Sequence, residues 1–144
     1  FIPILLIITI WQTGIFQKDA LQKPTLRFLN EYRNADYPPA FKNFVDMAKW
    51  ASINLPKGSL VANRKPEIFH LFYKGPSGGY PHTENQQEFL EGMRNSKSKY
   101  LIIDQLGYSS TPRFAVPAVQ NNPNYFRFIH KIDQPDTYIF EYVE

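Results

Sequence analysis

Apolar residues are spread unevenly along this chain. Phe1 to Trp11 (FIPILLIITIW) is an almost wholly apolar, uncharged run, and nothing comparable follows Lys18-Asp19. A helix that crosses a bilayer takes about 20 apolar residues. The run is shorter than that, but Trp11 stands at its polar end, where interfacial aromatics collect. Residues 1–16 are therefore read as the end of a transmembrane helix or an apolar lead-in. Two alternatives stand beside this reading: an element buried in the soluble fold, and the core of a signal peptide. The signal peptide lacks a basic n-region and a small-x-small cleavage site. Pro3 does not discriminate, because membrane helices tolerate proline.

Residues 17–37 read as a connector. Leu26, Phe28, Leu29 and Tyr32 can share a short helical face, but Pro24 and Asn34 bracket it. From residue 38 to 144 the pattern becomes regular. Pro38-Pro39 suits a first helical turn, where a missing N–H has no partner to lose. Phe41, Phe44, Val45, Ala48 and Ser52 then recur at helical spacing, and Pro56 stops the helix. Leu60-Val61-Ala62 predicts a short buried strand. Pro66 opens a second helix whose Ile68, Phe69, Leu71, Phe72 and Tyr73 are apolar over most of its girth, so it is expected to be largely covered. The stretch from Lys74 to Gly79 reads as a loop, and Tyr80-Pro81-His82 as a minimal strand. Thr83-Glu84-Asn85-Gln86 has the form of a capping box, with Thr83 as the cap, ahead of a helix running to about Asn95.

Lys99 to Asp104 (KYLIID) predicts the strongest strand. Its four consecutive apolar residues imply burial on both faces, as in a parallel sheet. Thr111, in a capping position, and Pro112 start a further helix to about Gln120, shortened or kinked by Pro117. Phe126 to Asp133 alternates, Gln134-Pro135-Asp136 turns, and Thr137 to Val143 alternates again, which predicts an antiparallel hairpin. The alternation of helix and strand, closed by a hairpin, predicts an α/β three-layer sandwich with a small, partly parallel central sheet and a C-terminal β-hairpin.

Composition narrows the chemistry. The 144 residues are 43% hydrophobic and 20% charged, which suits one domain with a core. There is no cysteine, so disulfides, thiolate metal sites and cysteine nucleophiles are excluded. The net charge is +3, without basic residues clustered on one element, which argues against a nucleic-acid partner. The mean hydropathy of −0.39 makes the apolar opening stand out further.

Open parallel sheets place ligands beyond the carboxyl ends of their strands. That rule selects Asn63-Arg64-Lys65 and Asp104-Gln105. Arg64 and Lys65 can hold a phosphate ahead of the helix at Pro66, or be solvated loop residues. Asp104 stands where many catalytic carboxylates stand, but lacks a D-x-D partner; a cap or turn role is the plainer reading. Tyr108, Ser109, Ser110 and Thr111 can contact a polar ligand or simply form a loop. His70, His82 and His130 form no metal-ligand spacing, and His130 reads as a packed or edge residue. Glu84, Glu88 and Glu91 read as a wet helical face. Ser77 lies in G-P-S-G-G, which is not a nucleophile elbow. No complete enzyme site assembles from these parts.

Trp50 to Pro66 (WASINLPKGSLVANRKP) resembles the start of the C-terminal extracytoplasmic domain of GT-C-type membrane glycosyltransferases, the dolichyl-phosphate-mannose protein mannosyltransferase-like enzymes and especially their bacterial members. There an aromatic helix leads through N-x-P-x-G to a strand and then to a basic turn before an apolar helix. KYLIID at 99–104 and NPNYF at 122–126 are similar too, and the resemblance covers about residues 38–144. It implies a parent enzyme that moves a sugar from a polyprenyl-phosphate carrier to an acceptor at the outer face of the membrane. The family's catalytic acid lies among its transmembrane helices, so none is carried over here. The chain is then expected to be a non-catalytic domain of a longer protein on the extracytoplasmic (periplasmic) side. Its expected partners are the membrane and a sugar or lipid-linked acceptor; the only cofactor-like molecule is the parent's polyprenyl-phosphate donor. Arg64, Lys65, Asp104 and Tyr108 are the candidate ligand contacts. Two other classes remain open: a secreted or membrane-anchored sugar-binding domain, and a small hydrolase using Asp104.

Overall fold

A computed structural model of the chain describes residues 37–143. The expected membrane-helix end at 1–16 and, apart from Tyr37, the connector at 17–37 lie outside the described residues. Among the described residues no helix is long and apolar enough to cross a membrane.

Helix α1 spans Pro39–Asn54 with proline in its first turn, as expected. Its buried stripe is Phe44, Met47, Ala48 and Ala51, so Ser52, expected inward, is exposed. The Leu55 N–H closes the helix on Ala51 O at 3.0 Å, and Pro56 prevents a further turn. Strand β1, Val61–Asn63, is buried at every position. Helix α2, Pro66–Tyr73, buries only Phe69 and Tyr73. Leu71 remains 65% exposed, so this helix is less covered than its composition suggested.

Strand β2 is Ser77–Gly79, not Tyr80–His82. Pro81 has no N–H to give a ladder, whereas Ser77, Gly78 and Gly79 pair in parallel with Val61, Ala62 and Asn63 at the sheet edge. Tyr80 turns into the core instead, at 4% exposure. Helix α3, Gln86–Asn95, is capped by Asn85 rather than Thr83. Asn85 Oδ1 accepts the N–H groups of Gln87 and Glu88 at 3.0 and 3.2 Å, while Thr83 Oγ1 accepts the Asn85 N–H and donates to Glu88. The cap therefore lies two residues later than expected, and the reciprocal half of a capping box is missing, because the Asn85 N–H goes to Thr83 and not to Glu88.

Strand β3, Tyr100–Ile103, is buried throughout, as its apolar quartet required. After a loop, Thr111–Ala115 forms one π-helical turn that runs into helix α4, Val116–Asn121. Thr111 is thus inside the helical segment and caps nothing. Pro117 sits in the first turn of α4, directly after the π turn, so the segment is short and irregular, as expected. Strands β4 (Phe126–Ile132) and β5 (Thr137–Tyr142) form the expected antiparallel hairpin, with an irregularity between Phe128 and His130.

The described sheet has the order β2-β1-β3-β5-β4. The pairs β1–β2 and β1–β3 are parallel; β3–β5 and β4–β5 are antiparallel. Two apolar cores flank it. Tyr100 and Ile102 face one, with Phe44 and Met47 of α1 and Phe69 of α2. Leu101 and Ile103 face the other, with Phe89 and Met93 of α3 and Ala118 of α4. This is a three-layer α/β sandwich with a partly parallel sheet. Asn43, on α1, clamps the hairpin turn by donating to the carbonyls of Asp133 and Pro135 at 2.9 and 2.8 Å.

Candidate functional site

The two central parallel strands, β1 and β3, end side by side. The chain leaving β1 enters α2 on one face of the sheet; the chain leaving β3 enters the π turn and α4 on the other. Divergence of neighbouring loops opens a crevice at the carboxyl end of such a sheet. The residues around it are Asn63, Arg64 and Lys65 from the β1 end and Asp104, Leu106 and Tyr108 from the β3 end.

Asn63 sets the first loop. It is fully buried; its side chain donates to Ser77 Oγ at 2.7 Å and Val61 O at 3.2 Å, and its Oδ1 accepts the Lys65 N–H at 3.0 Å. This turn fixes where the two cations emerge. The Arg64 guanidinium carbon and the Lys65 Nζ each lie 4.7 Å from the centre of the Tyr108 ring. Such cation–π contacts contribute about 0.5–1 kcal/mol at exposed sites. Among the described residues neither cation is within 4.0 Å of a carboxylate oxygen, in contrast to Lys42, Lys99, Arg113, Arg127 and Lys131.

Asp104 lies deeper, at 3% exposure. Its Oδ1 accepts the Leu106 N–H at 3.0 Å. Its Oδ2 is buried without a hydrogen-bond partner, and so is Nε of Arg64. Burial pushes the Asp104 carboxyl above the usual carboxylate range; the Leu106 N–H, the Arg64 charge and the nearby Thr111 hydroxyl oppose this without cancelling it. The Thr111 hydroxyl also lies 3.0 Å from Tyr80 Oη, which is 3.3 Å from Ser110 Oγ. Burial raises the Tyr80 phenol above its ordinary value, Ser110 and Thr111 pull it back, and the Asp104 charge raises it further.

An apolar cleft of about 190 Å³ adjoins the cations. Pro38, Ala40 and Phe41 of the α1 start, Ile68 of α2 and Leu106 line it, with Lys65 and Tyr108. Of the four sequence candidates, Arg64, Lys65 and Tyr108 thus come into contact, and Asp104 sits beneath them within electrostatic reach of Arg64.

The other candidates separate. Ser77 serves Asn63. His82 stacks on Phe114, His130 stacks on Trp50 at 4.3 Å, and His70 Nδ1 meets Gly75 O at 2.7 Å. Glu84 pairs with Arg113, Glu88 bonds Thr83, and Glu91 accepts from Gln87. Among the described residues no group of His, Asp or Glu could hold a metal ion. Sequence reasoning did not find Tyr80 or the cleft-forming Phe41 and Leu106, because their roles depend on contacts between distant segments. Asn63 had a signal: an Asn closing a strand two residues before its own turn partner.

No protein-family model and no curated protein matches the chain. Among solved structures, the chain is similar to the C-terminal globular domain of an oligosaccharyltransferase from Archaeoglobus fulgidus. The match covers 75% of this chain and 99% of that one, at a TM-score of 0.50 and 11% sequence identity. At that identity the likeness is one of fold.

Proposed function

We propose that this chain is a non-catalytic, extracytoplasmic domain of a membrane glycosyltransferase. In this reading the parent enzyme resembles the bacterial mannosyltransferase-like members of the GT-C class and takes its sugar from a polyprenyl-phosphate carrier. The observation that carries the proposal is the fold correspondence with nearly all of a globular domain that ends an oligosaccharyltransferase. The sequence resemblance over Trp50–Pro66 supports the same class independently of the coordinates. Fold alone does not determine function, so the role must come from the site.

The site favours binding over chemistry. A catalytic carboxylate works with a titratable or nucleophilic partner, and among the described residues the groups that meet Asp104 are the Leu106 N–H and the Thr111 hydroxyl, with no hydrogen-bonded titratable side chain. Arg64 and Lys65, which pair with no carboxylate among the described residues and pack on Tyr108, are equipped to hold a polar acceptor. Charge-assisted hydrogen bonds contribute about 1.5–3 kcal/mol each, or about tenfold in affinity or more. The test uses membranes containing the protein expressed from its complete reading frame, supplied with a polyprenyl-phosphate-linked radiolabelled sugar. Arg64→Ala with Lys65→Ala is expected to raise the acceptor KM at least about tenfold and leave the donor KM unchanged. Unchanged acceptor kinetics would overturn the role given to these residues.

A further inference from the structure

The crevice carries two features that a simple polar contact does not require. One is the apolar cleft against Ala40, Phe41, Ile68 and Leu106, with Lys65 and Tyr108 shared between cleft and cation pair. The other is the buried, unpartnered Nε of Arg64, a hydrogen-bond donor with nothing to donate to. Buried donors are nearly always satisfied, so an unpartnered one on the arginine that shares the Tyr108 ring with Lys65 points to an acceptor missing from this crevice. A cleft of about 190 Å³ has room for a short hydrocarbon group and is far too small for a long lipid tail.

We infer that this crevice binds a small amphipathic anion, a carboxylate or phosphate carried on a short hydrocarbon group. The hydrocarbon lies in the cleft on Phe41, Ile68 and Leu106. The anionic oxygens meet Lys65 and Arg64. Complementarity of charge argues for this occupant: the cleft is apolar, and the charged side chain in its lining is a lysine with no carboxylate partner among the described residues. A neutral apolar ligand would leave both cations unused, and inorganic phosphate would leave the cleft empty. The inference shares its location with the proposed acceptor site but not its assay, since binding is read on the chain itself and not through sugar transfer.

The experiment is calorimetric titration of the full chain with hexyl phosphate, hexanoate, inorganic phosphate and hexanol. Both hexyl anions are expected to bind at least about tenfold more tightly than inorganic phosphate and than hexanol. Lys65→Gln, at a half-buried turn position, should cost about tenfold for both anions. Ala40→Phe, which fills the cleft, should abolish the advantage of hexyl phosphate over inorganic phosphate. Ile68→Trp serves the same purpose if the first variant fails to fold. Equal affinities for hexyl phosphate and inorganic phosphate would overturn the inference, as would binding indifferent to Lys65→Gln. Phosphatidylcholine vesicles containing phosphatidate distinguish a membrane headgroup. If they bind equally well before and after Ala40→Phe, and hexyl phosphate does not compete, the ligand is a bilayer surface and the cleft reading fails. Loss of transfer in membranes without any anion binding here would leave the acceptor role standing and remove only this inference.

Discussion

Replacing Asp104 by Asn is expected to stabilise the fold at neutral pH. Asp104 is 3% exposed, with one oxygen bonded to the Leu106 N–H and the other buried without a partner. Its pKa is raised, burial being the largest cause. A raised carboxyl pKa means that the folded state holds its proton more tightly than the unfolded chain does. Its contribution is therefore most favourable below the unfolded value of about 3.9. It is lost as pH rises through the higher folded value, and at neutral pH the full penalty of burying the charge applies. Asparagine keeps an acceptor for the Leu106 N–H and removes the need to ionise. Leaving a buried polar group unsatisfied costs about 1–3 kcal/mol, more when it is charged. The variant should gain about 1–2 kcal/mol at neutral pH, which for a domain of this size raises Tm by about 4–8 °C per kcal/mol.

Circular dichroism melts of both proteins from about pH 3.5 to 8 read the effect directly. The gap should be largest at neutral pH and close towards the acid end, where wild type is also neutral at this position. Arg64→Met adds a second arm. It removes a charge that favours ionised Asp104, so it should destabilise wild type more than the Asn variant, with a coupling that vanishes at low pH. A variant that melts lower than wild type at neutral pH, or a gap that does not change with pH, refutes the reasoning.

Three further outcomes follow from other parts of the fold. Glu141 is 9% exposed, and hydrogen bonds from Arg127 and Lys99 outweigh burial to hold its pKa below the usual range. Its contribution is present above the unfolded value and lost as pH falls through the folded one. Glu141→Gln should therefore cost about 1–3 kcal/mol at neutral pH and much less in acid, as urea titrations would show. Gly92→Ala would gain about 1 kcal/mol in an open helix. Here the new Cβ would lie 2.3 Å from Pro81 Cγ, and overpacking costs about 1–3 kcal/mol. The single variant should melt at or below wild type and Pro81→Ala should restore the gain; a clearly more stable single variant contradicts the contact. Asn63→Ala removes three hydrogen bonds from a fully buried side chain and should cost about 2–4 kcal/mol in urea unfolding.

The sheet was legible where the sequence is periodic or continuously apolar. YLII at β3 can satisfy both cores at once, and the two alternating runs around Gln134-Pro135-Asp136 admit only a hairpin. Legibility failed where an element carries no apolar pattern. β2 is Ser-Gly-Gly, a strand by its position beside β1 and not by its side chains. Its signature resides in the neighbour, the fully buried β1 with which it pairs in parallel. The helix cap was misplaced for a related reason. Thr83 and Asn85 both suit a cap, and Thr83 is consumed in orienting Glu88 and the Asn85 N–H.

The same limit shapes the reading of the site. A topological rule picked out Arg64, Lys65 and Asp104 because it needs only strand order and strand ends. It says nothing of which polar atoms end up paired. Elsewhere in the described fold, buried polar side chains are well provided for: Asn43 reaches two carbonyls, Asn63 makes three bonds, and Glu141 meets two cations. The buried atoms left without partners are Arg64 Nε, Asp104 Oδ2 and Thr137 Oγ1. Two of the three, a donor and a charged acceptor, belong to the crevice between β1 and β3. Packing alone does not call for an aspartate, since asparagine has nearly the same shape without the charge. A local cost at the carboxyl end of a parallel pair, in a fold otherwise consistent, is the kind of departure that functional sites show. Asp104→Asn therefore separates two explanations. If the stabilised variant also binds hexyl phosphate less tightly, the buried charge is kept to hold Arg64 ready for an anion. If stability rises and binding is unchanged, Asp104 belongs to the loop and not to the site.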